Sequence, residues 1–254
     1  MRWNYDHSMI SPGTWTGDVG SCNAGNYIDG GKASTLTLVN LYRWLADLPP
    51  AELDEQKNAM AQECALMMHA NNSLNHNPPM SWTCYSSDGA AAAGKSNIAT
   101  TAGTASVGLY MFDPGNPTTI GHRRWILSNS LGSMGIGSTS GYSCMWVIGG
   151  GGQASKAWTA WPAPGPFPIQ AQVDNTGWTL QSDSISLANA TVTVTSEGMD
   201  LPMTITDLLG GYGSTHAISM IPQGWTSTAG KTYKVEIGGI DPVISYEIEF
   251  INCN

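Results

Sequence analysis

Gly121-His122-Arg123-Arg124-Trp125-Ile126-Leu127, followed after a short gap by Gly135-Ile136-Gly137, decides the fold. The first stretch gathers one histidine and two arginines in a chain that holds only 10 Lys and Arg. Such a cluster is either a working site or a structural element that also carries one. Trp125 and the run Ile126 to Leu127 belong in a core, so the stretch reads as a structural element that also carries His122. Downstream, the apolar pieces Ile126-Leu127-Ser128, Met134 to Gly137 and Cys144 to Ile148 are separated by Gly and Ser and predict strands of a small sheet.

Upstream the pattern turns helical. From Ser34, a good N-cap, Leu38, Leu41, Leu45 and Leu48 recur at helical spacing until Pro49-Pro50 stops them. Asp54 opens a second pattern through Met60, Cys64, Met67 and Met68, rich in helix-forming residues and fading at Asn71-Asn72. Pro78 to Ala105 predicts a short helix or loops, and Val107 to Phe112 one more helix, ended by Asp113-Pro114-Gly115. Residues 1–33, rich in Gly, Asn, Asp and Ser, predict an irregular arm pinned to the body through Trp3, Trp15 and Cys22.

The segment 149–168, GGGGQASKAWTAWPAPGPFP, concentrates Gly and Pro and marks a domain boundary. Beyond it ISLANATVTVTSE, MTITDLL, TYKVEIGGI and ISYEIEFI alternate or run apolar at strand length, which predicts an all-β sandwich of immunoglobulin-like type.

Composition narrows the function. Asp plus Glu outnumber Lys plus Arg by 19 to 10, for a net charge of -9, and without a basic stripe nucleic-acid binding is excluded. Ten Trp and nine Tyr among abundant polar residues describe the surface of a secreted or cell-surface protein. The 5 cysteines are scattered without a Cys-x-x-Cys pair, so disulfides with one thiol left over are expected rather than a zinc knuckle. The expected localisation is extracellular, with the chain as a mature form behind an added Met, since no signal peptide is seen. No apolar run approaches the roughly 20 residues that span a bilayer.

Four features in order now resemble one family: the helix LVNLYRWLADLPP, a second ending LMMHANNSLNH, then Ser96-Asn97-Ile98-Ala99, then GHRRWIL with its following GIG. Together they resemble the CAP domain of cysteine-rich secretory proteins, antigen 5 and pathogenesis-related 1 proteins, particularly its bacterial branch. The resemblance covers residues 34–150. It implies an α+β fold: after the 1–33 arm, a CAP-like α-β-α sandwich over 34–160, then the β-sandwich over 165–254.

The resemblance also implies a central cleft lined by two His and two acids. His76 matches the first His and His122 the second. Ser96, in Gly94-Lys95-Ser96-Asn97-Ile98-Ala99, stands where the family has Glu. Tyr110-Met111-Phe112-Asp113 occupies the place of the family's Trp-x-x-Glu helix, so Asp113 is the candidate for the second acid, with a shorter arm.

Two neutral imidazoles facing one cavity are a partial site for zinc or another divalent cation, to which Ser96 adds a hydrogen bond but no charge. Asn97 and Arg123 join them as ligand-binding candidates. Arg123 and Arg124 either clamp a carboxylate or phosphate, or one pairs with a nearby acid and the other is solvated. Were the protein an enzyme, His76, His122, Asp113 and Ser96 would be its catalytic set, for hydrolysis of an ester or peptide with His as general base or with a metal-bound water. The missing Glu counts against hydrolysis, and no Gly-x-Ser-x-Gly elbow surrounds Ser96.

Met60, Met67 and Met68 line either a lipid groove or, more in keeping with helical spacing, the core. Trp158, Trp161, Trp178 and Trp225 are the candidates for a glycan-binding surface. His69 reads as surface or packing, and His7 and His216 receive no role. The leading expectation is a secreted, monomeric CAP-family binding protein whose partner is a small molecule, lipid, glycan or cell-surface component. An extracellular hydrolase using the same cleft, and a glycan-binding or adhesive protein, are the alternatives.

Overall fold

A computed structural model describes residues 10–253; Trp3 and His7 lie outside them. The arm forms a small antiparallel ribbon of β1 (Thr14–Trp15) and β2 (Tyr27–Ile28). Helix α1 (Gly31–Leu45) starts a turn before Ser34, whose hydroxyl accepts the Ser11 N–H at 2.9 Å instead of capping the helix. The strand β3 (Glu52–Leu53) leads into α2 (Glu55–Asn71), where Asp54 accepts the Lys57 N–H at 2.9 Å as the N-cap the sequence predicts.

Next come α3 (Ser87–Ala93), β4 (Ser96–Ala99), α4 (Gly103–Phe112), α5 (Gly121–Ile126), β5 (Ser133–Ser138) and β6 (Ser143–Trp146). The four strands make one sheet in the order β3-β5-β6-β4. Its two faces follow from strand alternation. Ile98 and Cys144 face α2 and α3, packing with Ala61, Ala65, Met68 and Ala92. Met134, Ile136 and Met145 join Leu38, Val39, Val107 and Tyr110 of α1 and α4 in the other core.

Gly135 and Gly137 explain the GIG signature. A Cβ on Gly137 would lie 2.1 Å from the Ala61 backbone, and one on Gly135 would lie 2.4 Å from that of Lys57, so α2 rests directly on bare backbone. The Cys64–Cys144 disulfide fastens the same contact, and Cys22–Cys84 fastens the arm; Cys253 is the free thiol. Met67 and Met68 are fully buried, which makes them core and no part of a lipid groove.

One expectation is corrected. Ile126-Leu127-Ser128 is not a strand: Ile126 ends α5 and Leu127 follows in the core. A strand would send Arg123 and Arg124 to opposite faces, whereas a helix sets them about 100° apart, and here both reach acceptors at the junction with the sandwich.

The C-terminal half is a two-sheet sandwich. Its strands are β7 (Thr159–Trp161), β8 (Gly165–Pro168), β9 (Trp178–Ser182), β10 (Thr191–Ser196), β11 (Met199–Leu201), β12 (Met203–Asp207), β13 (His216–Pro222), β14 (Thr232–Gly238) and β15 (Ile244–Ile251). They form sheets ordered β11-β10-β14-β15-β8 and β12-β13-β9-β7, with β8 parallel to β15. Trp178 of one sheet meets Tyr233 and Phe250 of the other at ring separations of 6.0 and 6.1 Å. The 149–168 stretch is structured, since β7 and β8 form inside it, and Trp161 packs edge-on against Tyr42 of α1 at 5.6 Å. One hydrophobic cluster therefore runs through both halves.

Candidate functional site

The end of α4 builds the site. Asp113 caps the helix in the left-handed region (φ 54), a conformation that Asp tolerates better than most residues, and Pro114 prevents continuation. Its buried carboxylate turns back under α5. Oδ1 accepts from His122 Nδ1 at 2.8 Å and from Asn116 Nδ2 at 2.6 Å; Oδ2 accepts the backbone N–H of His122 at 2.9 Å.

Tyr110 and Asn97 brace the imidazole and its backbone. Tyr110 lies against it with ring centroids 5.1 Å apart, and Tyr110 OH donates to the Asn97 carbonyl at 3.1 Å. Asn97 Nδ2 donates to the His122 carbonyl at 3.1 Å, tying β4 to α5. Burial pushes the Tyr110 phenol well above its ordinary range, so it stays a neutral donor.

His76, in the loop after α2, is anchored in the same sense. Its Nδ1 sits 2.8 Å from the Ala93 carbonyl. A carbonyl and a carboxylate only accept, so Nδ1 carries the proton in both neutral rings and each Nε2 keeps its lone pair. Both histidines line one open cleft of about 550 Å³.

Ser96 and Asn97 of β4, Asn116, Thr118, Trp125 and Tyr212 also line that cleft. Ser96 is buried, and its hydroxyl has no hydrogen-bond partner among the described residues, so neither cleft histidine activates it. Among the described residues, no Asp, Glu, Lys or Arg lines the cleft.

The structure thus rearranges the expected set. His76, His122, Ser96 and Asn97 come together in the cleft. Asp113 is not a cleft acid but the buried partner behind His122. Arg123 is not a ligand clamp: it is fully buried and donates to the carbonyls of Met111, Gly177 and Phe112 at 2.6, 2.7 and 3.2 Å, and to Thr176 Oγ1 at 2.9 Å. Arg124 is neither solvated nor paired with an acid: it is equally buried and binds the carbonyls of Thr119, Leu209 and Ser214. Desolvation lowers both guanidiniums to about 10, which leaves them cationic at neutral pH.

Protein zinc sites take three or four ligands from the chain. Two Nε2 atoms and a neutral hydroxyl fall short of that, with Asp113 committed to His122 Nδ1. Among the described residues no group of three or more His, Cys, Asp and Glu side chains converges. The residues present do not fit a resident metal.

The tryptophans expected to form a glycan surface are elsewhere employed. Trp161 and Trp178 are fully buried, Trp158 lies against Tyr246 at 5.4 Å, and Trp225 stacks on Tyr233 at 5.4 Å. Core packing takes Trp161 and Trp178, while Trp158 and Trp225 stay half-buried against their ring neighbours. His69 packs between Trp15 and Tyr142, at 5.5 and 5.3 Å, as ordinary packing. Tyr212 was not among the sequence candidates. Its signal was available in Gly210-Gly211-Tyr212-Gly213, a single aromatic ring set among glycines.

A helix-flanked four-stranded sheet carrying this cleft, followed by a β-sandwich, makes an α+β fold whose first half has the CAP-type layering. Residues 36–148 match the CAP family model, described as the Cysteine-rich secretory protein family, and this part of the chain is similar to that family. The sandwich lies outside the match. No curated protein and no solved structure matches the chain. Among the described residues no helix is long and apolar enough to cross a membrane.

Proposed function

We propose that the chain is a secreted binding protein whose CAP-type cleft holds a small uncharged ligand through His76, His122 and the amides and hydroxyls around them. One observation carries this reading: two imidazoles, each locked at Nδ1, offer two Nε2 acceptors to one cleft whose other lining groups bear no charge. An organic ligand with hydroxyl donors satisfies both acceptors at once. A cation would have two ligands and no charge compensation, so the lining favours the organic occupant.

The test is to follow the ring resonances of His76 and His122 by NMR while small neutral polyols and ZnCl₂ are titrated separately. The reading expects a polyol to move both rings together, with His76→Ala and His122→Ala each abolishing the response. Zinc bound one to one at micromolar or tighter Kd, lost in both variants, would overturn it in favour of a cation site.

A second reading has one specific support. The Asp113 carboxylate, the oriented imidazole and its free Nε2 are the arrangement of a general base, with Asp113 holding the tautomer. Under this reading the protein is an extracellular hydrolase in which His122 takes a proton from water at the carbonyl of an ester or peptide. Turnover of a p-nitrophenyl ester or peptide panel that disappears in His122→Ala supports it; equal background rates in both proteins remove it.

A further inference from the structure

We infer that the β-sandwich is a wall of the cleft, and that Tyr212 on its 209–214 loop makes the site one for a neutral sugar ring. This rests on the ligand-binding reading above and names its chemistry.

The loop is built onto the cleft. The Leu209 N–H donates to the Thr118 carbonyl at 3.0 Å. Arg124 Nη1 donates to the Leu209 carbonyl at 2.7 Å, and Nη2 to both oxygens of Ser214 at 3.1 Å. One guanidinium on α5 thereby grips the loop near both ends.

Two glycines permit the approach. A Cβ on Gly121 would lie 2.6 Å from the Tyr212 ring, and one on Gly213, which holds φ +76, would lie 2.4 Å from the Arg124 carbonyl. Beneath them Ile120 packs with Leu208 and Ala217 of the sandwich. Ile120 sits at φ 43, a conformation that β-branched residues rarely adopt, two positions before His122. The sandwich thus helps hold the backbone that aims the histidine.

Tyr212 is the part of this loop that faces a ligand. It lines the cleft together with Gly211, remains 38% exposed, and has the Arg124 guanidinium carbon 5.9 Å from its ring centre. Trp125, half-buried, gives the same cleft a second aromatic side chain.

The lining selects the ligand class. A carboxylate or phosphate would meet no cation, because Arg123 and Arg124 are spent on carbonyls. An acyl chain or sterol would find Ile148 as the one aliphatic side chain among the described lining residues. A neutral sugar matches what is present. Its hydroxyls can donate to the two Nε2 atoms and bond to the Asn97 and Asn116 amides, while its C–H face lies on an aromatic ring.

The experiment uses the full chain, calorimetry and the histidine ring resonances, with cellohexaose, chitohexaose, maltohexaose and laminarihexaose as neutral probes and sodium phosphate and oleate as contrasts. The expected result is that one or more hexasaccharides bind and shift His76 and His122. Tyr212→Ala and Tyr212→Leu should then weaken binding by about tenfold while Tyr212→Phe retains it, since Phe keeps the ring face and Leu only the bulk. A hexasaccharide that binds Tyr212→Leu as tightly as the natural chain overturns the part given to the sandwich. Histidine shifts with the small neutral polyols of the preceding test but with no hexasaccharide overturn the sugar class and leave the ligand-binding reading standing, whereas shifts with phosphate or oleate alone overturn both. No histidine shift with any probe removes both.

Discussion

Asp113 and His122 are joined twice: the carboxylate accepts the ring Nδ1–H at 2.8 Å and, through its other oxygen, the His122 backbone N–H at 2.9 Å. One buried side chain therefore fixes the tautomer, the ring plane and the start of α5 together.

Asp113→Asn should uncouple these effects. The amide NH₂ cannot accept, so at least one N–H of the pair is left buried without a partner, at a cost of about 1–3 kcal/mol. The His122 ring ¹⁵N shifts should show both neutral tautomers in place of one, and ligand affinity should fall by about tenfold. An unchanged single tautomer would mean that Tyr110 and Asn97 orient the ring without Asp113.

Arg123→Met should destabilise the whole chain. Removing the guanidinium strands the acceptors of Met111, Gly177, Phe112 and Thr176 at the junction between the CAP-type part and the sandwich. The expected loss is roughly 3 kcal/mol, read as a lower urea midpoint. A midpoint within error of the natural chain would show that water replaces the guanidinium at no net loss.

The two disulfides should open in order. Cys22–Cys84 is the accessible one, with Cys22 exposed, whereas both sulfurs of Cys64–Cys144 are in the core. Mild reductant should free Cys22 and Cys84 first and make the arm before α1 sensitive to protease. Losing Cys64–Cys144, which spans 80 residues, should cost roughly 4 kcal/mol by loop entropy. Mass spectrometry of alkylated samples against time checks the order.

Alkaline pH should unfold the protein through its buried phenols. Burial raises Tyr42 to about 12, and raises Tyr110 and Tyr246 as well. A raised folded-state pKa means that the native state holds the proton longer than the unfolded state. The contribution is therefore fully present below the ordinary value of about 10 and lost as pH climbs from there through the folded value. Absorbance at 295 nm should show a late ionisation step that coincides with loss of near-UV circular dichroism. Complete, reversible ionisation near pH 10 with the fold intact would contradict it.

Much of the architecture was legible because it is locally encoded. The leucine spacing of α1, the Asp54 cap of α2 and the alternation in TVTVTS, TYKVEIG and ISYEIEFI are each decided within a few residues. The strands β9 and β13, read as WTLQS and HAISMIP, were missed because burial on both faces and mixed polarity remove the alternation. The match of His76 and His122 to family positions named both histidines from short motifs, and the structure sets them in one cleft.

What the sequence by itself determined is the class: two amphipathic helices, a glycine-bearing sheet that lets one of them sit on backbone, and a train of short strands. What only the tertiary structure decided is the use of the polar groups. Arg124 reaches Ser214 across 90 residues, Cys64 finds Cys144 across 80, and Tyr212 closes a cleft begun by Ser96 and His122. The physical reason is that periodicity reports only which face of a segment is buried. The partner of a buried charge or thiol is set by which distant backbone the packed elements bring within about 3 Å, and no local pattern carries that information.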